Sequence, residues 1–250
     1  MDFTIQNYKN LILSFINIKY QFQTLLEYLQ VPAIRCLVLR HDIDRLPENA
    51  FEIAKLENEF GVRSTYYFRI KKSVFNKNII KEIAGLGHEI GYHYEDFAEE
   101  KGNYEKAIES FEANLNKLRR IYPVKTICMH GSPLSRYDNR ELWEKYDYRD
   151  FGIIGEPYLD GDFNEMLYLT DTGRAWNTSR GNVRDKVQSK YNYNFKSTFD
   201  IIKALEKKEL PDKIMLNVHP QRWNDKFVPW AKELVWQNIK NVMKKTFFRG

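Results

Sequence analysis

The chain has 250 residues, of which 43% are hydrophobic and 15% aromatic, enough for one sizeable core, and this composition excludes an intrinsically disordered chain. Its 39 basic and 34 acidic residues are mixed along the sequence without a basic stripe, so the net charge of +5 does not favour nucleic-acid binding. The sequence shows no 18-residue apolar run, no secretory signal pattern and only two cysteines, so we expect a cytoplasmic protein without a membrane span or a disulfide framework.

Seven short runs rich in β-branched and aromatic residues predict strands, and helical patterns fall between most of them. The predicted strands are 34–41, 65–69, 88–92, 126–129, 151–154, 166–169 and 214–218. The predicted helices are 5–30, 47–60, 74–86, 99–122, 139–145, 198–206 and 226–247. In the last helix, the apolar spacing predicts that Leu234, Val235, Ile239 and Val242 face inward.

Strands that alternate with helices imply parallel pairing through right-handed crossovers. Seven strands with outer helices predict an α/β fold, a distorted seven-stranded (β/α) barrel on which the 5–30 helix packs as an addition. Residues 155–197 are rich in glycine and predict loop, apart from the strand 166–169. No repeat or low-complexity linker divides the chain, so we predict a single domain over residues 1–250.

Four of the five histidines stand where a predicted strand runs into the loop that follows it: His41, His93, His130 and His219. The carboxyl ends of parallel strands meet at one edge of the sheet, and active sites assemble there. One isolated histidine is more often structural, but four at one edge favour a functional site.

Asp42 and Asp44, in the segment RHDID, are two residues apart and so point the same way from an extended chain. Two neighbouring carboxylates repel each other unless a cation lies near, and a metal would let one ligate while the other acts as a base. The alternative is that Asp44 caps the helix that begins near Pro47. His41 points the opposite way and is expected either to support a site residue from behind or to be structural.

His88 and His93, in GHEIGYHYED, are five residues apart and cannot both face one side of a strand. His88 lies at the beginning of its strand, far from the loop edge. We therefore assign a structural role to His88 and a metal-ligand role to His93.

The segments RHDID, GHEIGYH and NVHPQRW, in this order, resemble the polysaccharide deacetylases of the NodB-homology type, in carbohydrate esterase family 4. The resemblance spans residues 34 to about 223 and is closest to a branch associated with polysaccharide and O-antigen biosynthesis. It implies a distorted seven-stranded barrel and a divalent metal, often zinc, held by one aspartate and two histidines. It also implies a glycan or amino-sugar substrate.

By this resemblance, Asp42 corresponds to the catalytic base, Asp44 and His93 to metal ligands, and His219 to the general acid. The family's two aspartates are usually adjacent, whereas Ile43 separates them here.

A second departure concerns the family's H-x-x-x-H motif, because Phe97 stands four residues after His93. His130 is the residue that we predict as the missing ligand. Glu95 or Asp96 could supply an oxygen instead, and loss of the metal is a further alternative.

The remaining site predictions also derive from the resemblance. The family's arginine-containing motif after the fourth strand is replaced by HGSPLSRYDN, in which Arg136 is the candidate for the role of the family's arginine. DTGRAWN follows the sixth predicted strand, and Asp171 is the predicted carboxylate partner of His219. Arg136, Arg174 and Trp176 are predicted to contact the sugar, although Arg174 and Trp176 could equally be surface loop residues.

The sequence therefore predicts a metal-dependent hydrolase that removes an N-acetyl group from an amino sugar. One alternative is a catalytically inactive homologue that binds a glycan, and another is a cyclic imide or ureide hydrolase on the same fold. A serine hydrolase is disfavoured because the chain has no G-x-S-x-G motif.

Overall fold

The structure, a computed structural model, describes residues 1–132, 135–176, 184–185 and 187–247, with side chains up to residue 242. The strands in these ranges are β1 (Gln21–Gln23), β2 (Cys36–Ile43), β3 (Thr65–Phe68), β4 (Glu89–Tyr94), β5 (Ile127–Met129), β6 (Leu167–Thr170) and β7 (Lys213–Val218). The α-helices are α1 (Ile5–Asn17), α2 (Leu25–Gln30), α3 (Pro47–Glu59), α4 (Lys77–Gly85), α5 (Asp96–Glu99), α6 (Tyr104–Arg119), α7 (Pro157–Asp160), α8 (Thr198–Glu206) and α9 (Phe227–Phe247). Short 3-10 helices cover Asn139–Glu144, Tyr148–Phe151, Thr172–Arg174 and Pro220–Arg222.

All seven strands form one parallel sheet in the order β5-β4-β3-β2-β7-β6, and β1 also pairs with β2. β1 and β3 share one edge of β2, since β1 pairs with residues 36–38 and β3 with residues 40–43. β7 pairs with residues 36–41 along the other edge. β2 is therefore the central strand, and its carboxyl end lies between those of β3 and β7.

The sheet is curled, because side chains from its two ends meet on its inner face. Arg40 of β2 donates to the Cys128 sulfur of β5 at 2.7 Å and to the Tyr168 hydroxyl of β6 at 3.0 Å. Within the described residues no strand pairing joins β5 to β6, so the barrel is open there. The predicted fold class, a distorted barrel of seven parallel strands with helices outside it, is confirmed.

Two boundary predictions are wrong. The predicted helix 5–30 is divided into α1, β1 and α2, because Lys19 adopts a positive φ of 67° after α1 and Thr24 begins α2 with a capping box. Residues 151–154 form no strand, since the chain turns at Gly152, with a φ of 67°, and only Gly155 makes an isolated bridge to β5's neighbouring residue Thr126.

The apolar face of α9 was predicted to point inward, but it lies on the outside. Val235, Ile239 and Val242 are 58%, 47% and 65% exposed, and Leu234 is half-buried. Polar residues on the opposite face attach the helix instead. The contacts are Arg174 Nη1 to the Trp230 carbonyl at 2.7 Å, Asn241 Nδ2 to the Gly173 carbonyl at 3.0 Å, and Arg45 to Glu233 at 2.7 Å. In the described part of the chain, no helix combines the length and the hydropathy needed to cross a bilayer.

A buried polar network lies behind β2, centred on Glu57 of α3. His41 Nε2 lies 2.8 Å from this carboxylate, and the hydroxyls of Ser64 and Tyr66 donate to it at 2.6 and 2.8 Å. Burial raises the pKa of Glu57, but His41 and His88 outweigh it and lower the pKa to about 2. His41 and His88 therefore contribute to the core, as the strand directions predict.

Glu57 should make the fold sensitive to acid. Its pKa is about 2 in the folded protein against an ordinary 4.5, so its stabilisation is complete above pH 4.5 and is lost as the pH falls toward 2. This pKa difference corresponds to about 3 kcal/mol. We expect Glu57→Gln to lower the free energy of unfolding at pH 7 and to flatten its decline below pH 4.5, as measured by denaturant unfolding across pH. Glu59→Gln, at an exposed position of the same helix, is the matched control and should behave as wild type; equal acid profiles for all three proteins would contradict this assignment.

Candidate active site

The residues predicted to carry the chemistry converge on a cavity of about 490 Å³ at the carboxyl edge of the sheet. Asp42 lies in β2 and Asp44 in the turn after it, while His93 lies near the end of β4. His130 and His219 directly follow β5 and β7. Four strands thus bring five predicted side chains to one cavity.

Asp44, His93 and His130 lie closest together. The Asp44 Oδ1 atom is 3.5 Å from His93 Nε2 and 3.4 Å from His130 Nε2. This oxygen is buried and accepts no hydrogen bond from the described residues. A buried, unsatisfied carboxylate oxygen between two imidazole nitrogens suits a cation, and one oxygen with two nitrogens is a set that zinc accepts. The residues present therefore fit the divalent metal that the resemblance implies.

Neighbouring groups fix both imidazoles. The Nδ1 atom of His93 donates to the Cys128 carbonyl at 3.0 Å, which leaves Nε2 as the free nitrogen. His130 Nδ1 lies 3.2 Å from Glu95, whose carboxylate receives two hydrogen bonds from Arg69 at 2.8 and 2.6 Å. Burial opposes ionisation of Glu95, but His130 and Arg69 lower its pKa to about 2. Such outer partners orient metal-binding histidines in known sites.

The charges in this cluster favour an ionised Asp44. Burial would raise the pKa of Asp44, but His93, His130 and His219 together hold it well below its usual value. Burial would lower the pKa of His93, but Asp42 and Asp44 outweigh that effect and raise it. Asp44 is therefore a carboxylate, which is the form that binds metal.

The candidates for the third metal ligand, in place of the histidine that Phe97 replaces, differ in where their side chains point. Phe97 is buried against Tyr104, with ring centroids 4.7 Å apart. Asp96 accepts hydrogen bonds from Tyr92 and Ser110, both at 2.7 Å, and so points toward α6. Glu95 binds Arg69 and the outer side of His130, as described above. Of the candidates, only His130 presents an unengaged nitrogen to Asp44.

Asp42 is buried beside the triad formed by Asp44, His93 and His130, and it is held by two neighbours. Arg40 Nη1 donates to its two oxygens at 2.9 and 3.3 Å, and Asn217 Nδ2 donates to Oδ2 at 2.9 Å. Arg40 is itself completely buried. Arg40 was not predicted, because the resemblance implies an arginine after the fourth strand rather than within β2. The signal was present, since residues two apart in a strand face the same side.

A second group of possible ligands comprises Asp42, His93 and Cys128. Burial raises the pKa of the Cys128 thiol well above its usual value, and Arg40 already neutralises Asp42. Because metals bind the thiolate form, this group is the poorer candidate.

His219 forms a separate pair with Asp171, as predicted. Its Nδ1 lies 2.6 Å from Asp171 Oδ1, and the same carboxylate accepts from Arg222 at 2.7 Å and from the Trp223 ring nitrogen at 2.8 Å. Burial opposes ionisation, but Arg222 and His219 keep the pKa of Asp171 below its usual value. The other ring nitrogen, Nε2, is 3.9 Å from Asp44 Oδ2, at the cavity.

The structure does not bring the three predicted substrate contacts to the cavity. Arg136 is exposed and stacks on Tyr137, 4.7 Å from the ring centroid. Arg174 is buried and binds a carbonyl of α9. Trp176 is 2% exposed and donates to the Thr198 hydroxyl at 3.0 Å. Those assignments are corrected: Trp176 packs in the core, where a large aromatic ring is strongly stabilised, and Arg174 attaches α9.

Several cavity residues were not predicted, because most come from segments without a recognisable motif, while Ser135 and Thr172 stand in HGSPLSRYDN and DTGRAWN but were not singled out. They are Arg45, Arg69, Ser135, Tyr158, Thr172, Arg184, Asp185, Trp236, Gln237 and Lys240.

No protein-family model and no curated protein matches the chain. Among solved structures, the chain is similar to a CE4 family pseudoenzyme from Bacillus anthracis, in a mutant form with restored enzymatic activity, at 12% identity and a TM-score of 0.44, over 86% of this chain and 65% of that one. It is also similar to the peptidoglycan deacetylase PdaC from Bacillus subtilis, at 10% identity and a TM-score of 0.40, over 87% and 99% of the two chains. A third similar structure is the Xyl-CE4 domain of a multidomain xylanase from the hindgut metagenome of Trinervitermes trinervoides, at 13% identity and a TM-score of 0.40, over 84% and 85%. The chain thus spans less than two thirds of the first of these structures, and similarities this distant do not establish its activity.

Proposed function

We propose that the protein is a metal-dependent hydrolase that removes an N-acetyl group from an amino sugar, in polysaccharide or O-antigen metabolism. The observation that carries this proposal is the buried Asp44 Oδ1 atom, unsatisfied between the Nε2 atoms of His93 and His130. Asp42 and His219 border the same cavity.

Asp44, His93 and His130 are the residues that would hold the metal. A divalent cation such as zinc supplies a Lewis acid, which makes water more acidic and polarises an acyl carbonyl. The rest of the chemistry falls to side chains of the cavity.

Asp42 serves as the general base. Its carboxylate accepts a proton from water as the water oxygen adds to the acyl carbon. Arg40 and Asn217 hold the carboxylate in place from two sides, at 2.9 Å each. Arg40 also compensates the buried negative charge, without which burial of Asp42 would be costly.

His219 serves as the general acid on the other side of the bond. As the carbon–nitrogen bond breaks, a proton passes from His219 Nε2 to the nitrogen, so that a neutral amine leaves rather than an anion. Asp171 orients the ring through Nδ1 at 2.6 Å and stabilises its positive charge. The products are acetate and a free amino sugar.

The test is acetate release by purified protein after chelation and after reloading with zinc, cobalt or nickel. We expect one metal ion per chain, acetate and free amine in equal amounts from N-acetylated sugars, and activity that depends on the metal. Tight glycan binding with no acetate release would favour an inactive binding protein. Opening of cyclic imides or ureides, with acetylated sugars untouched, would favour the other hydrolase.

A further inference from the structure

Helix α9 forms one wall of the cavity although it lies far from the motifs in sequence. Trp236, Gln237 and Lys240 line the cavity from this helix. The contacts that attach α9 include the ion pair between Arg45 and Glu233 at 2.7 Å, and Arg45 lines the cavity as well. One wall of the cavity therefore comes from a helix that carries none of the proposed catalytic groups.

The cations of the cavity differ in how they are compensated. Each of its arginines has an acidic partner: Arg45 has Glu233, Arg69 has Glu95, Arg184 has Asp138, and Arg222 has Asp171. Lys240 makes no salt bridge with any side chain that the structure describes, and its ammonium lies 5.2 Å from the ring centroid of Trp236. Lys240 is thus the cation of this wall that is left for a ligand.

The surroundings of Lys240 make an uncompensated charge unfavourable. The residue is half-buried, and burial followed by the nearby Arg45 lowers the pKa of its ammonium by more than Glu233 and Asp44 raise it. An anion bound beside Lys240 would offset the burial of its charge and its repulsion from Arg45, and phosphate oxygens are common partners of such cations.

The ring beside this cation suits the uncharged part of a ligand. Trp236 is 46% exposed and lines the cavity. A large exposed indole at a cavity entrance offers a flat apolar surface for a sugar or another ring. The cavity of about 490 Å³ falls within the range typical of small-molecule sites.

We propose that Lys240 and Arg45 bind the phosphate of an acylated amino sugar that is carried as a phosphate ester, while Trp236 packs against the sugar or its carrier. This inference rests on the proposed function and specifies its substrate class. The phosphate could belong to a nucleotide-linked or a lipid-linked sugar, since the two share this chemistry.

The first experiment measures binding without catalysis. Calorimetry with inorganic phosphate and pyrophosphate, on metal-depleted full-length protein, should show saturable binding that weakens at least about tenfold in Lys240→Met. Lys232→Met is the matched control, because Lys232 is exposed on the same helix and lies outside the cavity. Equal affinity in wild type and both variants would overturn the proposal.

The second experiment compares substrates on metal-loaded protein. For a nucleotide-diphosphate N-acetyl sugar and a short-chain polyprenyl-phosphate N-acetyl sugar, Lys240→Met should raise KM at least about tenfold and leave kcat nearly unchanged. The carrier with the lower KM in wild type identifies the source of the phosphate. Neutral N-acetyl oligosaccharides should be poor substrates, equally so for wild type and variant.

The outcomes separate this inference from the proposed function. If neutral oligosaccharides are deacetylated as efficiently as the phosphate esters, the protein is a deacetylase and the phosphate subsite is refuted. If no substrate loses acetate but phosphate binding depends on Lys240, the proposed reaction fails while the anion site stands.

Discussion

Asp44→Ala is expected to lower acetate release at least about a thousandfold, which corresponds to ~4 kcal/mol of transition-state stabilisation. Asp44 supplies the only oxygen of the proposed triad, and the His93 and His130 nitrogens lie 3.5 and 3.4 Å from it. Two imidazoles without the carboxylate would hold a divalent cation weakly. Metal content by mass spectrometry should therefore fall together with the rate.

The matched control for Asp44→Ala is Asp212→Ala. Asp212 is exposed and directly precedes β7, at the opposite edge of the sheet, where it pairs with Arg35. We expect this variant to keep the metal and the rate of wild type. An Asp44→Ala protein with full metal content and normal turnover would rule out the triad as the metal site.

The second large effect is expected for Asp42→Asn, which should reduce kcat by about 10²- to 10⁴-fold while metal content stays unchanged. The amide cannot accept the proton from water, and Asp42 is not part of the triad. The change also removes the ion-pair partner of the buried Arg40, which we expect to cost about 3–5 kcal/mol of stability.

A double variant separates the chemical effect from the structural one. Asp42→Asn combined with Arg40→Met removes the unpaired charge, and it should recover much of the lost stability in denaturant unfolding. The acetate rate should stay low in this protein. If the double variant regained wild-type turnover, Asp42 would be a structural partner of Arg40 and not the base.

The sequence predicted the parts of the site that depend on strand ends. His93, His130 and His219 follow or close parallel strands, and the topology alone brings such positions to one edge. Asp171 was predicted from the resemblance together with its place after the sixth predicted strand, and β6 does lie next to β7 in the sheet. For the third metal ligand, the sequence left His130, Glu95 and Asp96 as alternatives. Glu95 binds Arg69 and the Nδ1 side of His130, and this arrangement favours His130.

The sequence did not predict the residues whose place depends on packing. Arg174 and Trp176 follow β6 by a few residues, but a 3-10 turn at Thr172–Arg174 precedes Trp176, and both side chains are buried away from the cavity. The apolar spacing of α9 correctly predicted a helix, but it predicted the wrong face of that helix to be buried. The polar contacts of Arg174, Glu233 and Asn241 decide that orientation, and these partners are far away in sequence.

Arg40 and Asp42 both lie in β2, so the base and its counter-ion can stay constant while other parts of the cavity change. Arg40, the counter-ion of the base Asp42, belongs to the central strand. The charge of Asp42 is therefore balanced without the segment 135–138 that follows β5. Substitutions there could alter what the cavity accepts and leave the proton-transfer apparatus intact. Library-based engineering of substrate range would therefore begin with this segment, with β2 held constant.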